Sequence, residues 1–224
     1  MSFIIGPDET EEQFEKRMAS AEIQSPIEVF GHFPDWIPIS YSNKSLAFWE
    51  GGCAWIEGTQ VRLQLRKSLE KRDHYLGLVS KNELLKHEAV HALRVAFDEP
   101  RFEEMLAYQT SPSKWRRLFG PLFRNPRESL LILLLPLTWF FPIIGFGFLG
   151  LFVFAFLRLA ITYRTFIKAK KNINQITQNP LGLMLYLTDE EISLFSKINH
   201  DEILEFIRAK QGYRWMQIRD FASI

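Results

Sequence analysis

The stretch Ser80-Lys81-Asn82-Glu83-Leu84-Leu85-Lys86-His87-Glu88-Ala89-Val90-His91-Ala92-Leu93 decides how the rest of the 224-residue chain is read. Ser80 and Glu83 have capping-box spacing, in which each side chain satisfies the other's backbone amide at a helix start. Leu84, Leu85, Val90, Ala92 and Leu93, continued by Val95 and Phe97, supply helix-period apolar contacts. Within this helix lies a His-Glu-x-x-His pentapeptide. Residues at i and i+4 share one helical face, so His87 and His91 can reach a single metal ion. Glu88 then lies beside a metal-held water, placed to take its proton.

Pro100 stops this helix and opens a second one over Arg101-Phe102-Glu103-Glu104-Met105-Leu106-Ala107-Tyr108, with Asp98-Glu99 as the turn and N-cap. The short connection folds the second helix back along the first. A catalytic zinc site needs a third protein ligand and an open fourth position. Glu103 and Glu104 are the nearest downstream candidates, and spacing alone leaves both open.

These residues resemble the gluzincin metallopeptidases, in which a second helix donates a glutamate in a Glu-x-x-(Ala/Ser)-(Asp/Asn) run. Glu104-Met105-Leu106-Ala107-Tyr108 matches it except for Tyr108, where the family has an acidic or amide residue. The short spacer after His91 is similar to the compact gluzincins, including integral-membrane ones. The resemblance covers roughly residues 60–111. It implies Zn2+ bound by His87, His91 and Glu104, with Glu88 as general base for water attacking a peptide bond. It also implies a substrate peptide added as an extra strand to a sheet edge near the active-site helix. Gln60–Arg66, apolar at 61, 63 and 65 only, is a half-buried strand and the local candidate for that edge. Leu46–Trp49 and Cys53–Ile56, separated by Gly51-Gly52, complete an expected small antiparallel sheet. Tyr108 is read as a packing side chain, the alternatives being a hydrogen bond to His87 or His91 or stabilisation of the oxyanion. Arg94 is expected on the helix surface. His32, His74 and His200 lack partners at useful spacing and are read as structural.

No charged residue occurs from Ser129 to Leu157, about 29 residues and roughly 43 Å of helix, against a hydrocarbon core of about 30 Å. Pro136, Pro142, Gly145 and Gly147 break the run, so the sequence favours a hairpin turning at Pro142–Gly147 over a single span. Basic residues on both sides (Lys114, Arg116, Arg117, Arg124 and Arg127; Arg158, Arg164, Lys168, Lys170 and Lys171) place both ends in the cytoplasm.

The remaining features bound the function. Lys+Arg 27 against Asp+Glu 26 gives no basic excess for a nucleic-acid partner. One cysteine, Cys53, excludes an internal disulfide. The N-terminus has neither a basic n-region nor a long apolar core, so it does not read as a signal peptide. Residues 8–21 read as a charged helix with a thin apolar stripe at Phe14, Met18 and Ala21. Thr188–Glu191 and Asn199–Glu202 are further capping boxes opening small C-terminal helices.

The expected fold is α+β: an N-terminal helix and irregular wrap (1–45), a small zincin-like core (46–125), an inserted transmembrane hairpin (126–168) and a C-terminal helical region (169–224). The expected function is a membrane-anchored zinc endopeptidase with its catalytic domain facing the cytoplasm and a peptide or protein substrate. The alternative is a non-catalytic membrane-associated scaffold with a structural or vestigial zinc site. Substrate and oligomeric state are not legible.

Overall fold

The structure, a computed structural model, describes residues 3–19, 27–57, 60–122 and 142–223. The architecture is mixed α+β, helix outweighing strand. Five short strands, β1 Ile39–Tyr41, β2 Gly52–Glu57, β3 Gln60–Leu65, β4 His74–Tyr75 and β5 Val79–Ser80, form a three-stranded sheet and a two-stranded hairpin. The described helices are α1 Glu11–Ala19, α2 Lys81–Leu93, α3 Pro100–Tyr108, α4 Lys114–Phe119, α5 Pro142–Ile173, α6 Pro180–Met184, α7 Asp189–Phe195, α8 His200–Ala209 and α9 Tyr213–Ala222.

Three sheet expectations are corrected. The order is β1-β3-β2, and β1 runs parallel to β3, so the sheet is not purely antiparallel. The alternating strand β3 is central, its Val61, Leu63 and Leu65 buried; of the alternate side chains Arg62 is exposed and Gln64 is buried, donating to the Ser42 and Lys44 carbonyls, so the alternation does not mark a free edge. Residues 46–49 form turns instead of a strand, because Glu50 draws its carboxylate back onto the Ala47 amide (2.8 Å).

α2 packs on β2 and β3 and against α3, burying Ala89, Val90, Ala92 and Leu93. Ser80 caps it, accepting from the Glu83 amide (3.1 Å). The capping box is only half made, because Glu83 is drawn into a bidentate pair with Arg116 (2.7 and 2.8 Å). On α1, Arg17 is the buried residue and Met18 is exposed. The guanidinium bonds Glu9 and the Ile4 carbonyl, overriding the apolar-stripe reading, and Ala21 lies outside the described residues.

One apolar core runs from Ile4 through α2 and α3 to Ala222, so the C-terminal helices share the interior of the site-bearing elements. Arg94 makes that connection. It is buried instead of superficial, and one guanidinium nitrogen donates to the Leu185 (3.0 Å) and Leu187 (2.8 Å) carbonyls, with Met184 at 3.5 Å. These are carbonyls at the C-terminus of α6, where a cation is favoured. Arg214 adds a bond to the Tyr186 carbonyl (2.7 Å) and a fork onto Glu191.

α5 corrects the expected turn at Pro142–Gly147. The stretch is helical, with Pro142 at its first position, where a missing amide costs nothing. The other arm of the expected hairpin (129–141) lies outside the described residues. Leu149–Ile173 is long and apolar enough to cross a membrane. Its first half turns Leu149, Leu151, Phe154 and Leu157 outward, whereas Phe166, Ala169 and Ile173 are in the core.

Among the other histidines, His74 and His200 are exposed, and His200 faces Asp201 (3.2 Å). His32 is buried, stacked on Phe221, with Nε2 3.2 Å from the Gly182 carbonyl. Burial pushes its pKa below the ordinary value, the Gly182 contact opposing. A histidine held neutral in the fold but free to charge when unfolded gives stability that is lost as pH falls through the unfolded value of about 6.5. We expect the His32 contribution to thermal stability to fall from pH 7.5 to pH 5, so that His32→Gln shifts the pH slope of stability by about one proton relative to the wild type in scans against pH.

Candidate metal centre

The groups that could hold a metal, His87, His91 and Glu104, are brought together by two helices and one turn. Asp98 adopts a left-handed conformation (φ 49°), and Pro100 starts α3 so that it runs back along α2. Glu99, the N-cap, makes no side-chain cap to α3. The carboxylate of Asp189 on α7 does so instead, accepting from the Arg101 and Phe102 amides (2.9 and 3.2 Å), while Glu99 accepts from the Asp189 amide (2.6 Å). α3 is thus fixed in position by the C-terminal region.

The two ring nitrogens Nε2 of His87 and His91 are 3.4 Å apart. The Glu104 carboxylate lies 3.7 Å from the first and 3.6 Å from the second. All three donor atoms fall within 4.8 Å of one another. Donors about 2.0–2.2 Å from a tetrahedral zinc ion stand roughly 3.3–3.6 Å apart, so the spacing of the two histidine nitrogens is that of such a site, and Glu104 approaches each histidine with a different carboxylate oxygen. Glu103 points elsewhere: its carboxylate meets Nδ1 of His91 at 2.7 Å. His87 bonds the Ala107 carbonyl of α3 and meets the Tyr108 ring edge to face with centroids 4.6 Å apart. Each histidine is therefore held by α3, as imidazole ligands are held by a partner on the other nitrogen. Gly120 lets Tyr108 sit there, because a β-carbon at 120 would overlap the phenol ring.

The electrostatics suit a cation. Burial, then the charge of His91, pushes His87 down to about 3. Burial also opposes a charge on His91, but the Glu103 hydrogen bond and the charge of Glu104 outweigh it and lift His91 to about 9. Burial, opposed by His91, raises Glu104 to about 7. Burial, then the charges of Glu104 and Glu88, raises Tyr108 to about 12, so its phenol is neutral.

Glu88 is buried beside β2, and burial raises its pKa against the charge of His91 and a hydrogen bond from the Ala54 amide. That bond identifies the free edge. Leu63 donates to Pro38 on the far side, so the paired Ala54 presents its amide and carbonyl away from β3. Gly52 and Ile56 share this orientation by the two-residue period, and all three line a cleft of about 560 Å³ running past His87, Glu88 and Glu104. Among the described residues, the sheet edge beside His87, Glu88 and Glu104 is therefore β2 and not Gln60–Arg66. Two contributors were not legible beforehand: Glu103 as partner of His91, and the backbone edge of β2, signalled only by the side-chain-free Gly51-Gly52. No family model, curated protein or solved structure matches the chain.

Proposed function

We propose that the protein is a membrane-anchored zinc metallopeptidase of gluzincin type, with a zincin-like core. The observation that carries the reading is the convergence of His87, His91 and Glu104 beside a buried Glu88 and an open strand edge. The three ligands would hold Zn2+, which supplies Lewis acidity and lowers the pKa of a coordinated water. Glu88, a base tuned upward by burial, takes a proton from the attacking water and returns it to the leaving amine. The peptide lies along β2, its backbone pairing with Gly52 and Ile56. Glu103 orients His91 as its hydrogen-bond acceptor. α5 anchors the domain, and basic residues flanking the apolar segment support a cytoplasmic orientation.

Two experiments test this. An active-site hydroxamate probe is expected to label the wild-type protein and not Glu88→Gln; equal labelling of both would favour a scaffold with a structural zinc site. Substituting the two neighbouring glutamates should separate their roles. Glu103→Gln should weaken zinc binding by about 10- to 100-fold. Glu104→Gln should weaken it further, removing a ligand instead of a ligand's partner. The check is a chelator competition, and equal affinities in the two variants would exclude the assignment.

A further inference from the structure

Exposed apolar side chains surround one side of the cleft and lie outside the machinery just described. Leu76 and Leu78, at the tip of the β4–β5 hairpin, are 69% and 71% exposed. Trp115 on α4 is 72% exposed and stacks on Phe119 with centroids 5.5 Å apart. Phe119 in turn meets Phe156 of α5 edge to face at 6.3 Å.

These elements are physically joined. Arg116 donates to the Leu78 carbonyl (3.3 Å) while holding Glu83, tying the hairpin tip to α4. Arg158 donates to the Leu122 carbonyl (2.9 Å), tying the turn after α4 to α5. Ring contacts thus join the outward apolar face of α5 to α4, and the Arg116 hydrogen bond joins α4 to the hairpin tip. Lys114, exposed, and Arg117 accompany the aromatic rings. Indole and phenyl rings beside basic side chains, adjoining an apolar helix, form the composition that settles at a bilayer's headgroup level.

We infer that this arc, Leu76, Leu78, Trp115 and Phe119, rests in the headgroup layer of the membrane that α5 enters. The cleft mouth then lies at the lipid surface, since Tyr75, Val79, Arg116 and Gly120, from the same elements, line it. The substrate class follows: a polypeptide segment presented at the bilayer, such as the stretch flanking a membrane anchor. The inference rests on the reading of α5 as membrane-spanning and not on peptide hydrolysis.

The test uses the full chain reconstituted in phosphatidylcholine–phosphatidylglycerol vesicles. Cys53 is replaced by serine, and an environment-sensitive nitrobenzoxadiazole label is attached to Leu78→Cys, Trp115→Cys, Phe154→Cys or Met216→Cys. Labels at 78 and 115 are expected to brighten about threefold over water and to be quenched by shallow spin-labelled lipid. The label at 216, exposed on α9, should do neither. Quenching at 154 alone, or at only one of 78 and 115, overturns the arc while leaving the membrane helix standing. Brightening at 78 and 115 without lipid quenching overturns it in favour of a second protein copy. Quenching at 216 as well overturns it as non-specific adsorption, and no quenching anywhere overturns it together with its premise.

Discussion

Glu88→Gln is expected to lower peptide hydrolysis by about 10³- to 10⁴-fold while leaving one zinc per chain. The substitution keeps the shape of the side chain and its capacity to accept from the Ala54 amide, so β2 and α2 remain in place. It removes only the basic oxygen. Such a loss corresponds to about 4–5 kcal/mol of barrier, more than an uncharged hydrogen bond supplies, and so diagnoses proton transfer instead of packing. The effect should fall on kcat with KM nearly unchanged, because β2 and the apolar rim would bind the peptide in both states. Zinc content by atomic absorption and melting temperature report whether site and fold survive. Retained activity in a zinc-loaded variant would sink the mechanism.

The second large effect is on stability. Arg94→Leu is expected to destabilise the fold by about 4–5 kcal/mol, because it strips the donor from the buried Leu185 and Leu187 carbonyls and weakens the contact with Met184. An orphaned buried acceptor costs about 1–3 kcal/mol, and Glu99, 3.8 Å from the guanidinium, loses a cation as well. A typical domain has only about 5–15 kcal/mol to lose. Denaturant unfolding measures the change, and a midpoint shift of less than about 1 kcal/mol would contradict it. Zinc affinity should fall in parallel, since the elements Arg94 clamps also hold α3.

These two residues show what was legible in the chain. The place of Glu88 beside the two histidines was readable because it is local: two histidines one turn apart and a carboxylate between them lie within five residues. Arg94 was not, because its partners are backbone carbonyls some 90 residues away, and a carbonyl has no sequence signal. The choice between Glu103 and Glu104 had the same difficulty. Both stand in the first turn and a half of α3, and which one faces α2 depends on rotation of that helix, fixed from Asp189. The period-two pattern of β3 was readable as a strand, but alternation reports which face is buried and not which neighbours pair. The free edge went instead to Gly52–Glu57, whose mixed aromatic and small residues carry no edge mark. At Pro142–Gly147 the breakers misled, since proline is at ease in the first turn of a helix.

The reciprocal caps between α3 and α7 have a consequence in time. Glu104 emerges early in synthesis, but the carboxylate that seats its helix emerges 85 residues later, with Asp189. At roughly 5–20 residues per second, that interval lasts several seconds. The apolar segment leaves the ribosome within it. On the proposed reading, the nascent chain carries its hydrolytic residues past the translation machinery in an unassembled form, and assembly follows membrane entry. Translation order alone would then keep the catalyst silent until it has reached the place where it works.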